Sequence, residues 1–215
     1  MRVPLRTRSF HLLQPVIGGD DDLTAADDRT LVARARVDRA VFAELYRRYV
    51  DGVYWYCLGR LREADMAEDA TSQVFAQALA ALPRYQDHER ETAFRAWLFR
   101  IAHNVVVDTV RARHGHESLA TVADLVDGRD LPEEMVILDE AQRAVWDLVA
   151  TLPPEQRSVV ELRLVGLTGM EIATALGRSR GAVDTAQSRA VARLRTLMQS
   201  SVLPGWAETA GDGSQ

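Results

Sequence analysis

"LTGMEIATALGRSRGAVDTAQSRAVARL", residues 167–194, decides the fold. Thr168 can cap a helix, and Glu171 three residues on can return the bond, the reciprocal arrangement of a capping box. Ile172, Ala173 and Leu176 give that short helix a narrow apolar face. Gly177 suits the left-handed backbone that ends it, and Ser179 can cap the helix that follows. Val183, Ala186, Ala190 and Leu194 then recur at helical spacing, and their mostly small side chains let two helices cross closely. A short helix, a glycine turn and a longer helix make a helix-turn-helix. The second helix is rich in arginine: Arg178, Arg180, Arg189, Arg193 and Arg195 lie on it or at its start. In this motif the N-terminal part of the second helix reaches base edges in the major groove. That makes Arg178, Ser179, Arg180, Gly181, Asp184, Thr185, Ser188 and Arg189 the DNA-contact candidates. Asp184 is the odd member, a negative charge on the face that would meet phosphates. A plain helical hairpin with a solvated arginine face fits the same spacing.

Upstream, apolar residues keep the helical period and no stretch alternates as a strand would, so the chain reads as all-α. Residues 20–28, "DDDLTAADD", form an acidic lead-in, expected to be disordered together with the rest of residues 1–27. A helix is expected from near Asp28, with Leu31, Val32 and Ala35 on one face. A second runs over about 40–61, with Phe42, Leu45, Tyr49, Val53, Tyr56 and Leu61 inward. A third covers 64–82 and stops at Pro83, and a fourth runs from Ala93 to about Arg113. Residues 114–134 then turn acidic and contain glycine and proline, as a linker does. Helices resume near Met135, and Pro153 and Pro154 suit a fresh helix start. The spacing thus predicts two small helical domains, 28–113 and 139–199, joined by a flexible linker at 114–138 and followed by a polar tail at 200–215. Each is near the lower size limit for an independent core, so mutual docking, or docking on a partner, would help both.

The first domain has chemistry of its own. Tyr85, Phe94, Trp97 and Phe99 are interleaved with Arg84, Arg90, Arg95, Arg100, Arg111 and Arg113, the mixture that holds single-stranded nucleic acid by stacking and backbone contact. Trp97, Ile101 and Val105 are also spaced as a core stripe, which assigns Trp97 mostly to packing. On the preceding helix, Asp65, Glu68, Asp69, Ser72 and Gln73 share an exposed face that can be a docking surface or simply a solvated one.

The totals bound the rest. Among 215 residues, 47% are hydrophobic and the net charge is −5, so the protein is globular and can meet nucleic acid only through a locally basic surface. All 26 basic residues are arginine, a choice that codon bias explains as well as phosphate binding does. No apolar run is long enough to span a bilayer, and the N-terminus lacks the apolar core of a signal peptide, although its Arg-rich start leaves a transit peptide open. The single Cys57 excludes an internal disulfide and a cysteine-based zinc cluster. A cytoplasmic location is expected. His114, His116 and Glu117 hint at a metal site but lack further spaced ligands. His103-Asn104 has no nucleophile beside it, and no phosphate-binding glycine loop occurs. No metal, no cofactor and no enzymatic activity are expected.

Taken in order, these segments resemble the extracytoplasmic-function (ECF) group of the sigma-70 family, the promoter-recognition subunits of bacterial RNA polymerase. "DRTLVARARVDRAVFAELYRRY" is similar to the family's opening helices and "AEDATSQVFAQALAALPRY" to the region 2 helix that docks on the polymerase. "FRAWLFRIAHNVVVDTVRAR" resembles the −10 recognition segment, and "LPPEQRSVVELRLVGLTGMEIATALGRSRGAVDTAQSRAVARLR" resembles region 4, which binds the −35 element. The resemblance implies core RNA polymerase and promoter DNA as partners, an anti-sigma factor as a frequent further one, and no membrane contact of the chain's own. It implies that Asp65, Glu68, Asp69, Ser72 and Gln73 meet the polymerase. It implies that Tyr85, His88, Arg90, Arg95, Trp97, Arg100, His103, Asn104 and Arg111 meet the −10 strand, with the loop at 85–92 capturing an unstacked base. Two departures stand out: Ser72-Gln73 where the family commonly has Gln-Glu, and Asp184 where a basic residue commonly follows the recognition-helix valine. Two rival readings are a stand-alone helix-turn-helix regulator and an interaction adaptor without DNA binding. The −10-like segment argues against the first and Asp184 argues for the second. An acceptor at Asp184 could instead take a hydrogen bond from cytosine N4.

Overall fold

The computed structural model describes residues 21–86, 93–115 and 140–202, and all of its regular structure is helical. The elements are α1 (Asp21–Ala25), α2 (Asp28–Ala35), α3 (Phe42–Leu61), α4 (Ala64–Ala81), α5 (Ala93–Gly115), α6 (Glu140–Ala150), α7 (Pro154–Leu164), α8 (Gly169–Leu176) and α9 (Arg180–Val202). Short 3₁₀ turns precede α3 at Arg39–Val41 and follow α4 at Leu82–Arg84.

Local chemistry sets most boundaries. Asp27 caps α2 by accepting from the Thr30 amide, a bond that holds its carboxyl below the usual range. Pro153 and Pro154 open α7 as expected. Thr168 and Glu171 form the full capping box at α8, Gly177 ends that helix at φ 63°, and Ser179 accepts from the Ala182 amide to start α9. The acidic lead-in departs from expectation, because residues 21–25 are helical. Arg48 explains it: its guanidinium donates to the Leu23 and Thr24 carbonyls while also pairing with Asp28 and Glu44. Leu23 and Ala26 then pack on the core.

Helices α2 to α5 form the first unit, with α3 against α4 and α5. Leu45, Val53, Tyr56, Leu98 and Phe99 are fully or almost fully buried, and Tyr49, Phe94, Tyr85 and Trp97 continue the core as a chain of tilted and edge-on ring contacts. Cys57 lies in the same interior, where burial pushes its thiol up to about 12 and keeps it protonated.

The second unit, α6 to α9, does not stand apart. Val159, Leu162, Leu167, Ile172 and Val183 belong to one continuous apolar cluster with the core of the first unit. Helix α8 packs along α5, and α7 touches α3. Among the described residues, a small separate cluster of Val149, Leu152 and Ala190, flanked by Val160 and Leu194, is private to the second unit. The mutual docking suggested by the size of each unit is realised, and the two share a core.

One contact depends on a missing side chain. A Cβ on Gly59 of α3 would come within 2.3–2.7 Å of the Trp146 ring of α6, so the indole lies directly on the α3 backbone. Gly59→Ala raises helix propensity in α3 by about 0.8–1.0 kcal/mol, but overpacking against an indole costs about 1–3 kcal/mol. The variant is expected to keep its helix content while α6 is displaced, read as a larger radius of gyration in small-angle X-ray scattering. An unchanged scattering profile would refute the close approach.

Candidate nucleic-acid interface

All five docking candidates, Asp65, Glu68, Asp69, Ser72 and Gln73, lie on the exposed side of α4. The opposite side, with Ala67, Ala70, Val74 and Ala78, is buried. The helical period alone produces this division, and it leaves an acidic and amide-bearing face open to a partner.

The eight helix-turn-helix candidates, Arg178, Ser179, Arg180, Gly181, Asp184, Thr185, Ser188 and Arg189, are likewise all exposed, while Val183 and Ala190 on the other side of α9 are fully buried. Helix α9 packs on α7 and α8. Arg163 of α7 donates to the Leu167 carbonyl and to Gln187 of α9, tying the motif together from inside. Two of the face's arginines have partners within the chain. Arg178 pairs with Glu155 at 2.9 Å, which lowers the Glu155 carboxyl. Arg180 pairs with Asp184 at 2.9 Å. The Asp184 carboxylate, about half exposed, is thus paired within its own helix.

The −10 candidates divide. Trp97 is part-buried against Tyr85 and Phe94, and Tyr85 itself is buried with Arg36 over its ring. Both aromatics thus serve the core, as the stripe spacing of Trp97 anticipated. Arg100, Asn104 and Arg111 are exposed along α5. Arg95 is spent on the other unit: it donates to the Val165 carbonyl at the end of α7 and lies 3.7 Å from the buried Glu171 carboxylate. His103 is mostly buried and shares a 2.9 Å hydrogen bond with the Tyr56 hydroxyl. His88 and Arg90 lie outside the described residues, as do His116 and Glu117. Among the described residues no cluster of histidine, cysteine and carboxylate side chains could hold a metal ion, and no helix is long and apolar enough to cross a membrane.

Between the two units lies an open cleft of about 550 Å³. Arg84, Tyr85, Trp97 and Arg100 form one wall, and Met170, Glu171 and Thr174 of α8 form the other. In this arrangement the first helix of the helix-turn-helix faces the aromatic and basic side of the first unit.

The residues that fasten this arrangement were missed by sequence reasoning. Glu161 of α7 is fully buried, and its two carboxylate oxygens accept from Arg60 of α3 at 3.0 Å and from Arg157 at 2.8 Å. Arg62 pairs with Asp147 of α6 nearby. Burial opposes the Arg60 charge, yet Glu161 and Tyr56 together outweigh it and the guanidinium pKa is raised. Nothing in the local spacing pairs position 60 with position 161; only a polar residue on the inner face of α7 hints at it.

Comparison with known proteins locates both units. Residues 45–115 match the family "Sigma-70 region 2" and residues 142–194 match "Sigma-70, region 4". The chain is similar to the ECF RNA polymerase sigma factor BldN of Streptomyces coelicolor, 35% identical over 82% of this chain and 68% of that one. It is also similar to the ECF RNA polymerase sigma factor ShbA of Streptomyces griseus, 37% identical over 80% of this chain and 98% of the other. Among solved structures, CnrH in complex with the cytosolic domain of CnrY aligns with a TM-score of 0.62 at 26% identity, covering 80% of this chain and 97% of CnrH.

The joint between the units carries a pH dependence. Burial first, then the charges of Arg60 and Arg178, lower the His103 pKa from 6.5 to about 4. The folded state therefore resists a proton that the unfolded chain accepts. The stability this contributes is complete above pH 6.5 and is lost as pH falls toward 4, by at most about 3 kcal/mol for that shift. Urea midpoints measured between pH 4 and 7 should fall on acidification in the wild type and fall less in His103→Gln. Parallel curves would remove His103 from the joint. Glu161→Ala, which strands Arg60 without its buried partner, should cost about 3–5 kcal/mol at pH 7 by the same denaturation measurement.

Proposed function

The chain belongs to the ECF group of the sigma-70 family of RNA polymerase sigma factors, and we propose that its surfaces divide the work of promoter recognition as follows. The exposed face of α4, with Asp65, Glu68, Asp69, Ser72 and Gln73, docks on core RNA polymerase. The exposed side of α5, with Arg100, Asn104 and Arg111, and the adjoining segment at 85–92 meet the unstacked −10 strand. The N-terminal turns of α9 enter the major groove at −35. The protein acts as a regulator without catalysis of its own, in the compartment that holds the polymerase.

The observation that carries this reading is the sidedness of α4, α5 and α9. In each, the residues assigned to a partner are exposed on one side while small and apolar residues fill the other. No ATP is needed in this scheme. Bases captured outside the duplex offset the cost of opening it, and stacking contributes about 1–3 kcal/mol per base.

The docked arrangement fits a resting form. Arg95 is held by α7 and α8, and the cleft wall of Tyr85, Trp97 and Arg100 faces α8. A strand following that wall competes with the second unit for it, so engagement of polymerase and promoter favours separation of the two. An anti-sigma factor is a fitting further partner, because CnrH, a relative at 26% identity, is solved with a bound protein domain.

Run-off transcription with purified core polymerase on a promoter library tests the whole. Adding the protein should create new start sites, and their absence would sink the reading. Asp69→Arg should weaken capture of core polymerase about tenfold or more in a pull-down titration and leave the thermal melt unchanged. If core binding is unaffected, the docking surface lies elsewhere.

A further inference from the structure

Arg180, the first residue of α9, is gripped by one neighbour and given room by another. Its Nε lies 2.9 Å from Oδ1 and 2.9 Å from Oδ2 of Asp184, one turn further along the helix. On its other side is Gly169, the first residue of α8. A Cβ there would fall 2.5 Å from the guanidinium carbon, 2.5 Å from Nη1 and 2.9 Å from Nη2. The guanidinium thus occupies the space that a side chain at position 169 would take, over bare backbone. Any side chain at position 169 would push it away.

An exposed arginine normally samples many rotamers, and an ordered fork loses less freedom when it binds. A lone exposed ion pair one turn apart holds such a side chain only weakly. Here the ion pair and the gap above Gly169 act on the same group. The grip is on Nε, which leaves the two terminal nitrogens as donors. Those form the planar fork that matches O6 and N7 of guanine in the major groove.

We propose that Asp184 and Gly169 are positioning residues that preset Arg180 to read one guanine of the −35 element, a proposal that rests on the DNA reading of α9 given above. Asp184 touches no base in this scheme. Its charge serves the arginine, and its cost against nearby phosphates is traded for base discrimination.

The test uses holoenzyme reconstituted from the full chain and purified core polymerase, with duplex promoter fragments in which each −35 base pair is replaced in turn. Arg180→Ala should abolish the preference for guanine at one base pair. A bidentate contact of this kind discriminates by roughly 5- to 150-fold. Gly169→Ala and Asp184→Ala should each remove most of that preference at the same base pair and leave the others alone. Asp184→Glu, which keeps the carboxylate, should restore most of it. Asp184→Ala should add nothing in the Arg180→Ala background. Replacing the guanine by 7-deazaguanine should weaken the wild type and leave Arg180→Ala unchanged.

If Gly169→Ala disturbs the capping turn of α8, seen as a lowered melting temperature, the Asp184 series alone carries the test. The proposal is overturned if both positioning variants retain full preference. It is equally overturned if they change affinity uniformly at every base pair, as a phosphate contact would. A wild-type holoenzyme that transcribes but shows no preference at any −35 base pair would instead overturn the DNA reading of α9.

Discussion

A carboxylate with no access to water fixes how the two halves of this protein meet. Glu161 sits at the contact of α7 with α3, and its oxygens are taken by Arg60 and Arg157. Taking such charges out of water is expensive, and the attraction between them repays it only where geometry is good. An apolar joint would tolerate sliding by a residue or a few degrees. A buried carboxylate that must meet a guanidinium does not, so it sets the register of the second unit on the first. Once α7 is placed, the rest follows. Arg95 can reach the Val165 carbonyl at the end of α7, Glu171 falls beside it, and α8 comes to lie along α5. Trp146 reaches the α3 backbone at Gly59 through the same alignment.

A joint built this way combines two properties that an all-apolar one cannot. The shared core around Val159, Leu162, Leu167 and Ile172 favours docking, yet the charged groups at its edge are ready partners for water or for polyanions once parted. Arg95 illustrates the point. It now caps a helix end in the other unit, and it is also an arginine on the helix assigned to the −10 strand. A competing phosphate can replace a carbonyl and a carboxylate as its acceptor with no loss of hydrogen bonding. In the proposed scheme the docked form shields binding groups by using them, and binding and opening become one exchange of partners. His103 belongs to the same set, since the charges that lower its pKa come from α3 and from the turn before α9.

What the sequence revealed depended on the range of the interaction. Helix ends set by neighbours three or four residues apart were readable: the Thr168–Glu171 capping box, the left-handed turn at Gly177, the cap at Ser179 and the proline start of α7. Sidedness was readable too, because the helical period sorts Ala67, Ala70 and Val74 from Asp65, Glu68 and Asp69 without reference to the rest of the fold. Partners 70 to 101 residues apart left no local signal. Glu161 and Arg60, Arg95 and Val165, and Gly59 and Trp146 all escaped for this reason. Helix α1 was misread as disordered because its support comes from Arg48 on α3, while its own composition is acidic.

The arginines show why counting charges overstated one site and understated another. A guanidinium has five donors in a fixed plane and can satisfy several acceptors at once. Arg48 serves two carboxylates and two carbonyls, and Arg163 serves a carbonyl and an amide, so both are structural. Of the arginines interleaved with aromatics on and before α5, Arg95 goes to the other unit and Arg113 pairs with Glu63. Arg84 and Arg100 stay exposed on the cleft wall. The stacking face is thus smaller than its composition suggested. On α9 the correction runs the other way. Asp184 subtracts a charge from the basic face, and by holding Nε of Arg180 it gives the remaining fork a direction. Net charge governs how strongly a helix is drawn to any phosphate backbone. A fixed donor pair governs which base it accepts, and the acidic residue that weakens the first effect is the one placed to supply the second.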